Sequence, residues 1–552
     1  MGLSVDVSIS SADSDTESSS NRWGAFGYAA FTVIWTASMV SNVGIAMFDT
    51  ASGWYMTNLS SGDPMVVSLV QAATSLPLFL FTLPAGALTD IVDPRRLLIV
   101  VSMGVALVSA IFAALVTLGF ATPNLLLVTT FLLGAGGALC APAWVSIAPL
   151  MVPRRDLDQA VAANTVGYNL SRAVGPAVGG LIIAAYGIST PFWIYVASNF
   201  VILAALFWWR QPPRITDGLP AERLSSAVRT GIRHAKNNLH LHATLLRTLA
   251  FFPFASAYWA LLPLIARGQT AQGPEFYGLM LGSIGAGAII GSVLLNTLKA
   301  WLGPDRLVAL ATAGTALALV GLGWGHDAAT VLGACFVAGV MWTLTLAALY
   351  VSAQVALPDW VRGRGLAIFL TIILGASTLG SAVWGRVAGS YGLDIALYVA
   401  AAGAILAIPL TWRFKLQTGL GVNLAPSLHW RAPQVAFDIQ YNQGPVLVTI
   451  EYHIDPKDHV AFLTAIEDVG HERKRDGAYA WGVFEVVTTE GTFIETFLIE
   501  SWLELMHQHE RVTNADRLLE DRVRRLLIAP PIIAHLIAPK RRLVSRRRLS
   551  ML

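Results

Sequence analysis

Charge is what this chain of 552 residues has least of: Asp, Glu, Lys and Arg make up 13%, against 55% hydrophobic residues. Soluble domains carry about 25% charged residues, so composition excludes an ordinary water-soluble protein and points to the lipid bilayer as solvent. Cysteine is nearly absent. Cys140 and Cys335 both lie inside apolar segments, which reads as two small buried thiols and excludes a disulfide framework. No Walker pattern or nucleotide-binding glycine-rich loop occurs, so ATP-driven work has no support and an ion gradient, protons first, is the expected energy source. His234, His240 and His242 cluster without acidic or cysteine partners, so neither a metal nor another cofactor is expected. No basic stretch precedes a short apolar run near Met1, so no cleaved signal peptide is expected and the first helix acts as its own insertion signal. The net charge of +3 gives no reason to expect nucleic acid as a partner.

What the chain does have is apolar runs. After a Ser- and Asp-rich tail (1–22), twelve stretches of about membrane-spanning length follow: 25–50, 64–88, 97–119, 123–150, 160–187, 191–209, 248–266, 276–298, 307–325, 328–356, 365–389 and 393–412. They fall into two six-helix bundles, 23–210 and 248–415. The polar linker between them, 211–247, contains an amphipathic helix from about 221, with Leu224, Val228, Ile232 and Ala235 on one face. Seventeen Lys and Arg residues flank the spans on the side holding the N-terminus, and Arg267 alone lies on the other. That asymmetry predicts a multi-pass inner-membrane protein with both termini cytoplasmic.

The halves repeat. A shift of 205 residues brings Gly134 onto Gly339, Pro153 onto Pro358, Gly175 onto Gly380, Gly180 onto Gly385 and Tyr186-Gly187 onto Tyr391-Gly392. The register holds without a gap over 152–187 and 357–392. Two copies of one six-helix design imply a substrate path between the halves.

Beyond a linker (416–445) the composition becomes that of a soluble domain, 446–530, followed by a basic tail, 531–552. Val446 to Ile454 alternates as a strand, Asp455-Pro456 starts a helix reaching about Arg475, and a hairpin turns at Glu490-Gly491 before a helical run from Trp502.

Candidate functional residues sit where polarity is costly. Asn42 and Asp49 lie on one stripe of the first helix with Ser38; Asp49 either faces a cavity or ends a solvated helix. Asn164, Tyr168, Arg172 and Gly175 share a face of helix five. Arg172, at mid-span, either pairs with an anion or carbonyl or snorkels past packed helices. Gln71, Thr74, Ser75, Thr129, Trp144, Tyr258, Trp259, Thr343 and Gln354 add the amides, hydroxyls and rings of a pocket for a small amphipathic organic molecule.

Three motifs carry a resemblance. Gly86-x-Leu88-x-Asp90, then Asp93 and the pair Arg95-Arg96, is similar to the loop between helices two and three of the major facilitator superfamily, Asp93 replacing a frequent glycine. Gly175-Pro176-x-x-Gly179-Gly180 resembles the exporter-associated motif on helix five. Together with the helix count and the repeat, these resemble the drug:H+ antiporter-type branch, and within it the transmembrane secretion effectors, a group with enterobactin-exporter-like and macrolide-efflux-like members. The resemblance implies an all-α membrane fold of twelve helices, alternating access, proton-coupled export and a gating latch at 86–96. Many relatives place an acidic residue where this chain has Ile45; Asp49, one turn later, is the candidate substitute.

The βαββα order of 446–530 is similar to the ferredoxin-like domain of the antibiotic biosynthesis monooxygenase group. That likeness raises a second reading, a membrane-tethered enzyme or ligand sensor, for which His471, Trp481, His507 and His509 are the candidates. A non-catalytic module through which the chain self-associates is the favoured expectation.

Overall fold

The computed structural model describes residues 24–210, 232–268, 273–417, 427, 429–430, 435, 439–440 and 443–538. Local chemistry starts the helices. In α2 (Pro64–Ile91) and α3 (Pro94–Thr117), an Asp-Pro pair supplies the N-cap carboxylate and a proline that needs no partner at the first helical position. Asp63 accepts from the Met65 N–H and Asp93 from the Arg96 N–H, both at 2.9 Å. The first half is completed by α1 (Ala29–Leu59), α4 (Pro123–Ile147), α5 (Leu157–Tyr186) and α6 (Ser189–Trp208). The second half holds α7 (Leu239–Gly268), α8 (Pro274–Trp324), α9 (Ala328–Val355), α10 (Asp359–Tyr391) and α11 (Leu393–Thr411).

Ten of these helices are long and apolar enough to cross a membrane. The expected spans 276–298 and 307–325 are joined in the single 51-residue α8, broken only at Gly303, whose φ of 72° and ψ of 166° no helix permits. The linker also differs from expectation. Residues 221–231 lie outside the described residues, 232–237 are helical, and α7 starts at Leu239 rather than 248. His234 and Ala235 are buried in protein contacts, not laid on a lipid surface: His234 sits against Trp360 and Asp476, and Ala235 joins the core of the helical bundle.

The repeat is realised in the backbone. Helices α5 and α10 both end in Tyr-Gly, and Gly187 and Gly392 both take the left-handed φ (88° and 96°) that stops a helix where only glycine is unstrained. Gly134 lets α4 approach the Thr74 carbonyl of α2, and Gly339 lets α9 approach the Ile284 carbonyl of α8, at corresponding points of the two halves.

Contacts between the halves run from the bundle's middle to one end. One seam packs Ala173 and Ala177 of α5 on Gly285 and Gly282 of α8, ending at Gly180 against Gly278. The other packs Phe79 of α2 on Gly375 of α10, bonds Ser75 to Thr378 at 2.8 Å, and ends with Gly385 against Ser68 and the Pro64 carbonyl. Arg267 donates to the Thr57 carbonyl at the same end. The opposite end carries the α2–α3 turn, the α9–α10 turn and the C-terminal domain.

That domain is a four-stranded antiparallel sheet in the order β2-β3-β1-β4: β1 (Val446–His453), β2 (Tyr479–Glu485), β3 (Thr492–Ile499) and β4 (Ile532–Ile537). Alternate residues of β1 and β3 enter a core with Phe462, Ile466 and Val469 of α12 (His459–Arg475). The helical run after Trp502 divides into α13 (Trp502–Arg511) and α14 (Asn514–Arg524), where Thr513 and Asp516 cap each other's backbone. Strand β4 lies beyond the expected boundary at 530, inside the stretch read as basic tail. It pairs with β1, more than 80 residues earlier in sequence, and no local turn announces it.

Candidate transport site

Helix packing decides which way Asp49 points. On α1, Gly44 packs on Tyr195 and Ser198 of α6, while Ala46 and Met47 pack on Gly175 and Gly179 of α5. Those faces are used up, so the remaining stripe is Asn42, Ile45 and Asp49; Ile45 and Asp49 are exposed between buried neighbours. One turn beyond Asp49, Gly53 meets Pro263 of α7 across the gap between the halves. The helices run in the same direction there, so Trp259, one turn before Pro263, stands on the opposite wall at Asp49's level.

On α5, Asn164, Tyr168 and Arg172 are all exposed on one stripe, and the Arg172 guanidinium lies 5.8 Å from the Tyr168 ring centroid. Gly175 does not join them; it is buried against Val43 and Ala46 of α1. On the second half, Tyr258 and Trp259 of α7 belong to a ring cluster with Trp342 of α9. In that cluster Trp259 and Trp342 are 5.7 Å apart with Tyr258 beside both. Among the described residues, the buried Tyr258 hydroxyl and Trp259 indole N–H form no hydrogen bond of regular geometry. Trp342 escaped sequence reading because nothing in its apolar helix separates it from packing. Gln71 sits apart, half-buried on the α2–α10 seam, its carbonyl accepting from Ser75 at 2.9 Å.

The helix-five motif is a set of close approaches. Gly175 and Gly179 fit α1, while Gly180 and the Pro176 carbonyl fit Gly278 of α8. Its partners Gly278, Gly282 and Gly285 were missed, although their spacing of four and three was legible as a small-residue stripe.

The 86–96 stretch divides. Gly86 and Asp90 belong to the last turns of α2, and their side-chain surroundings lie outside the described residues. Asp93 is the N-cap of α3. Arg95 donates to the carbonyls of Leu206 (3.0 Å) and Phe207 (3.2 Å), tying α3 to the end of α6 within its own half. Arg96 is exposed.

The four C-terminal candidates do not converge. His471 is exposed on α12; Trp481 donates to Glu495 at 2.8 Å; His507 lies 3.9 Å from Glu504; the His509 ring nitrogen lies 2.8 Å from the Leu505 carbonyl. What the core holds instead is an ion network centred on Arg473, 3.0 Å from Glu520 and 3.5 Å from Glu495, which also accepts from the Tyr452 hydroxyl. Burial pushes the Glu520 carboxyl up, but Arg473, with His429 and Trp430, more than offsets this and holds it at about 2. Every acid there is matched by a base or a donor, which is the chemistry of a structural core.

The profile of the family described as transmembrane secretion effector matches residues 20–543. The Staphyloferrin A transporter of Staphylococcus aureus (strain NCTC 8325 / PS 47) is 24% identical over 335 residues, covering 60% of this chain and 83% of that protein. The multidrug efflux pump Tap of Mycolicibacterium fortuitum is 24% identical over 383 residues, covering 65% and 88%. Among solved structures, a POT family transporter in complex with 5-aminolevulinic acid superposes with a TM-score of 0.56 at 13% identity, covering 70% of this chain and 96% of that one, a likeness of fold.

Proposed function

Because this chain belongs to the transmembrane secretion effector family, whose members are transporters and not enzymes, we propose that it exports a small amphipathic organic compound in exchange for protons. The observation that carries this is the exposure of Asp49 on α1 and of Asn164, Tyr168 and Arg172 on α5, with Gly53 of α1 meeting Pro263 of α7, one turn from Trp259, across the gap between the halves. A carboxylate there can hold a proton or a donor group of the cargo, but not both, and that exclusion is what antiport requires. Arg172 balances the carboxylate when it is ionised. The ring wall receives the apolar part of the cargo.

The membrane topology follows the same reading. At 1.5 Å per residue α8 would be roughly 75 Å long, over twice the hydrocarbon thickness, so it makes two spans with Gly303 at the turn. With α5 included, the count is twelve. The basic flanks place both termini and the C-terminal domain in the cytoplasm, which makes the state described here one closed to the outside and open inward. In the alternate state Asp90 would meet the start of α10 as the latch. The strand order β2-β3-β1-β4 supports a ferredoxin-like reading of the C-terminal domain, which serves the transporter without catalysing a reaction.

The test is reconstitution. Purified chain in proteoliposomes should move an amphipathic dye against its gradient when a proton gradient is imposed, and the truncated chain lacking 421–552 should leave the chemical identity of the exported dye unchanged. Absence of proton-driven movement in the intact chain would refute the reading.

A further inference from the structure

Three segments far apart in sequence meet at Trp360, in the first turn of α10. Arg511, at the end of α13, lays its guanidinium 4.2 Å from the Trp360 ring centroid. His234, from the segment before α7, meets the same ring edge-on at 5.4 Å. Charged and polar groups surround this contact. Arg233 lies 3.6 Å from Glu504, the His234 Nδ1 lies 3.8 Å from Asp476, and Arg511 holds Glu504 at 2.8 Å. Asn238 donates to the Ala356 carbonyl at 2.8 Å, joining the segment before α7 to the α9–α10 turn. His234 is fully buried, and Arg511 is 7% exposed.

Every anchor therefore belongs to the second half, to residues 233–238 that lead into it, or to the C-terminal domain. An arginine stacked on an indole in a desolvated setting is a strong, directional contact, and Glu504 ties it to Arg233, so the seated domain is fastened to residues 233–238 and to the start of α10. The start of α10 is also a surface at the end where the halves stand apart. For that end to close, it must approach the α2–α3 turn of the first half. A domain seated on Trp360 stands beside that approach.

We propose that the C-terminal domain is a built-in clasp on the gate: seated through Arg511 on Trp360, it favours the state open at its own end, and its release lets that end close. This rests on the alternating-access reading above, but its readout is a distance and needs no cargo. Exchange between a seated and a released domain would set how many copies of the transporter are available to cycle.

The test is spin-label distance measurement on the full-length chain, with Cys140 and Cys335 replaced by Ser. Labels at Arg155→Cys and Arg413→Cys report the separation of the halves at this end; labels at Val460→Cys and Arg413→Cys report seating of the domain. Trp360→Ala and, independently, Arg511→Ala should broaden the seating distance and move the half-to-half distribution toward shorter separations. Arg511→Lys, which keeps the charge but not the planar stack, should give an intermediate result. A seating distance unchanged in both alanine variants would overturn the clasp. So would a released domain with the half-to-half distance left as it was. If the distances shift as expected while no dye moves, the clasp stands and the export reading fails.

Discussion

Gly180 and Gly278 face each other across the two halves so closely that a Cβ on either would stand 2.9 Å from the other's Cα. The shifted counterpart, Gly385, meets the Pro64 carbonyl, 3.0 Å from where its own Cβ would lie. One closure is thus built twice, and in both places it depends on the absence of a side chain.

Gly180→Leu therefore acts on closure, not on folding of either half. Forcing a side chain into such a contact costs roughly 1–3 kcal/mol, equivalent to about a 5- to 150-fold shift in a two-state balance. The expected outcome is a transport rate lowered at least several-fold in proteoliposomes, with cysteine labelling near Pro274 increased. Unchanged labelling and unchanged rate would remove this seam from the gate.

Asp49→Asn should remove proton coupling while leaving the ring wall intact. Dye binding, measured by quenching of tryptophan fluorescence, is expected to persist, and uphill movement driven by a pH gradient is expected to be lost. Arg172→Ala should lower both, because it leaves the carboxylate without its counter-charge in a low-dielectric space. Uphill transport at the original rate in both variants would take these residues out of the mechanism.

Asp93→Ala tests the turn that the opening motif contributes. Loss of an N-cap costs about 1 kcal/mol, so thermal stability should fall by a few degrees with transport retained. Arg95→Ala should act in the same direction, since it ties α3 to α6 inside one half. Loss of cargo binding in either variant would contradict a purely local role.

The clearest pH signature belongs to Glu472 in the C-terminal domain. Burial first, and Asp516 beside it second, lift its carboxyl from 4.5 to about 10. A folded-state value raised above the unfolded one gives stability that is complete below about 4.5 and is lost progressively as the pH rises toward 10. Glu472→Gln keeps a neutral donor for Asp516 and removes that loss. Scanning fluorimetry should show the variant melting a few degrees higher than the parent at pH 8, with the gap closing near pH 4. A gap of the same size at both values would contradict this assignment.

Much of the bundle was legible because its signals are local or repeat. The 205-residue shift located Gly187 and Gly392 as matching stops, and helical spacing put Asn164, Tyr168 and Arg172 on one stripe. Gly175 was misplaced on that stripe because spacing gives an angle but not the neighbour that claims it; α1 did. The clasp at Trp360 was illegible for a different reason. Arg511, Trp360 and His234 are each over 100 residues from the next, and each reads alone as an ordinary surface or interface residue. The same holds for β4, whose one partner strand among the described residues is β1, and for Arg473, whose matched acids lie on two other elements.

The central claim is that this chain carries an amphipathic organic compound outward on proton energy through Asp49. The most direct measurement is proton-gradient-driven movement of a fluorescent amphipathic dye in proteoliposomes holding parent or Asp49→Asn protein. The account predicts uphill movement with the parent, abolished by a protonophore and absent with Asp49→Asn. Movement that ignores the proton gradient, or that survives Asp49→Asn at the parent's rate, would contradict it.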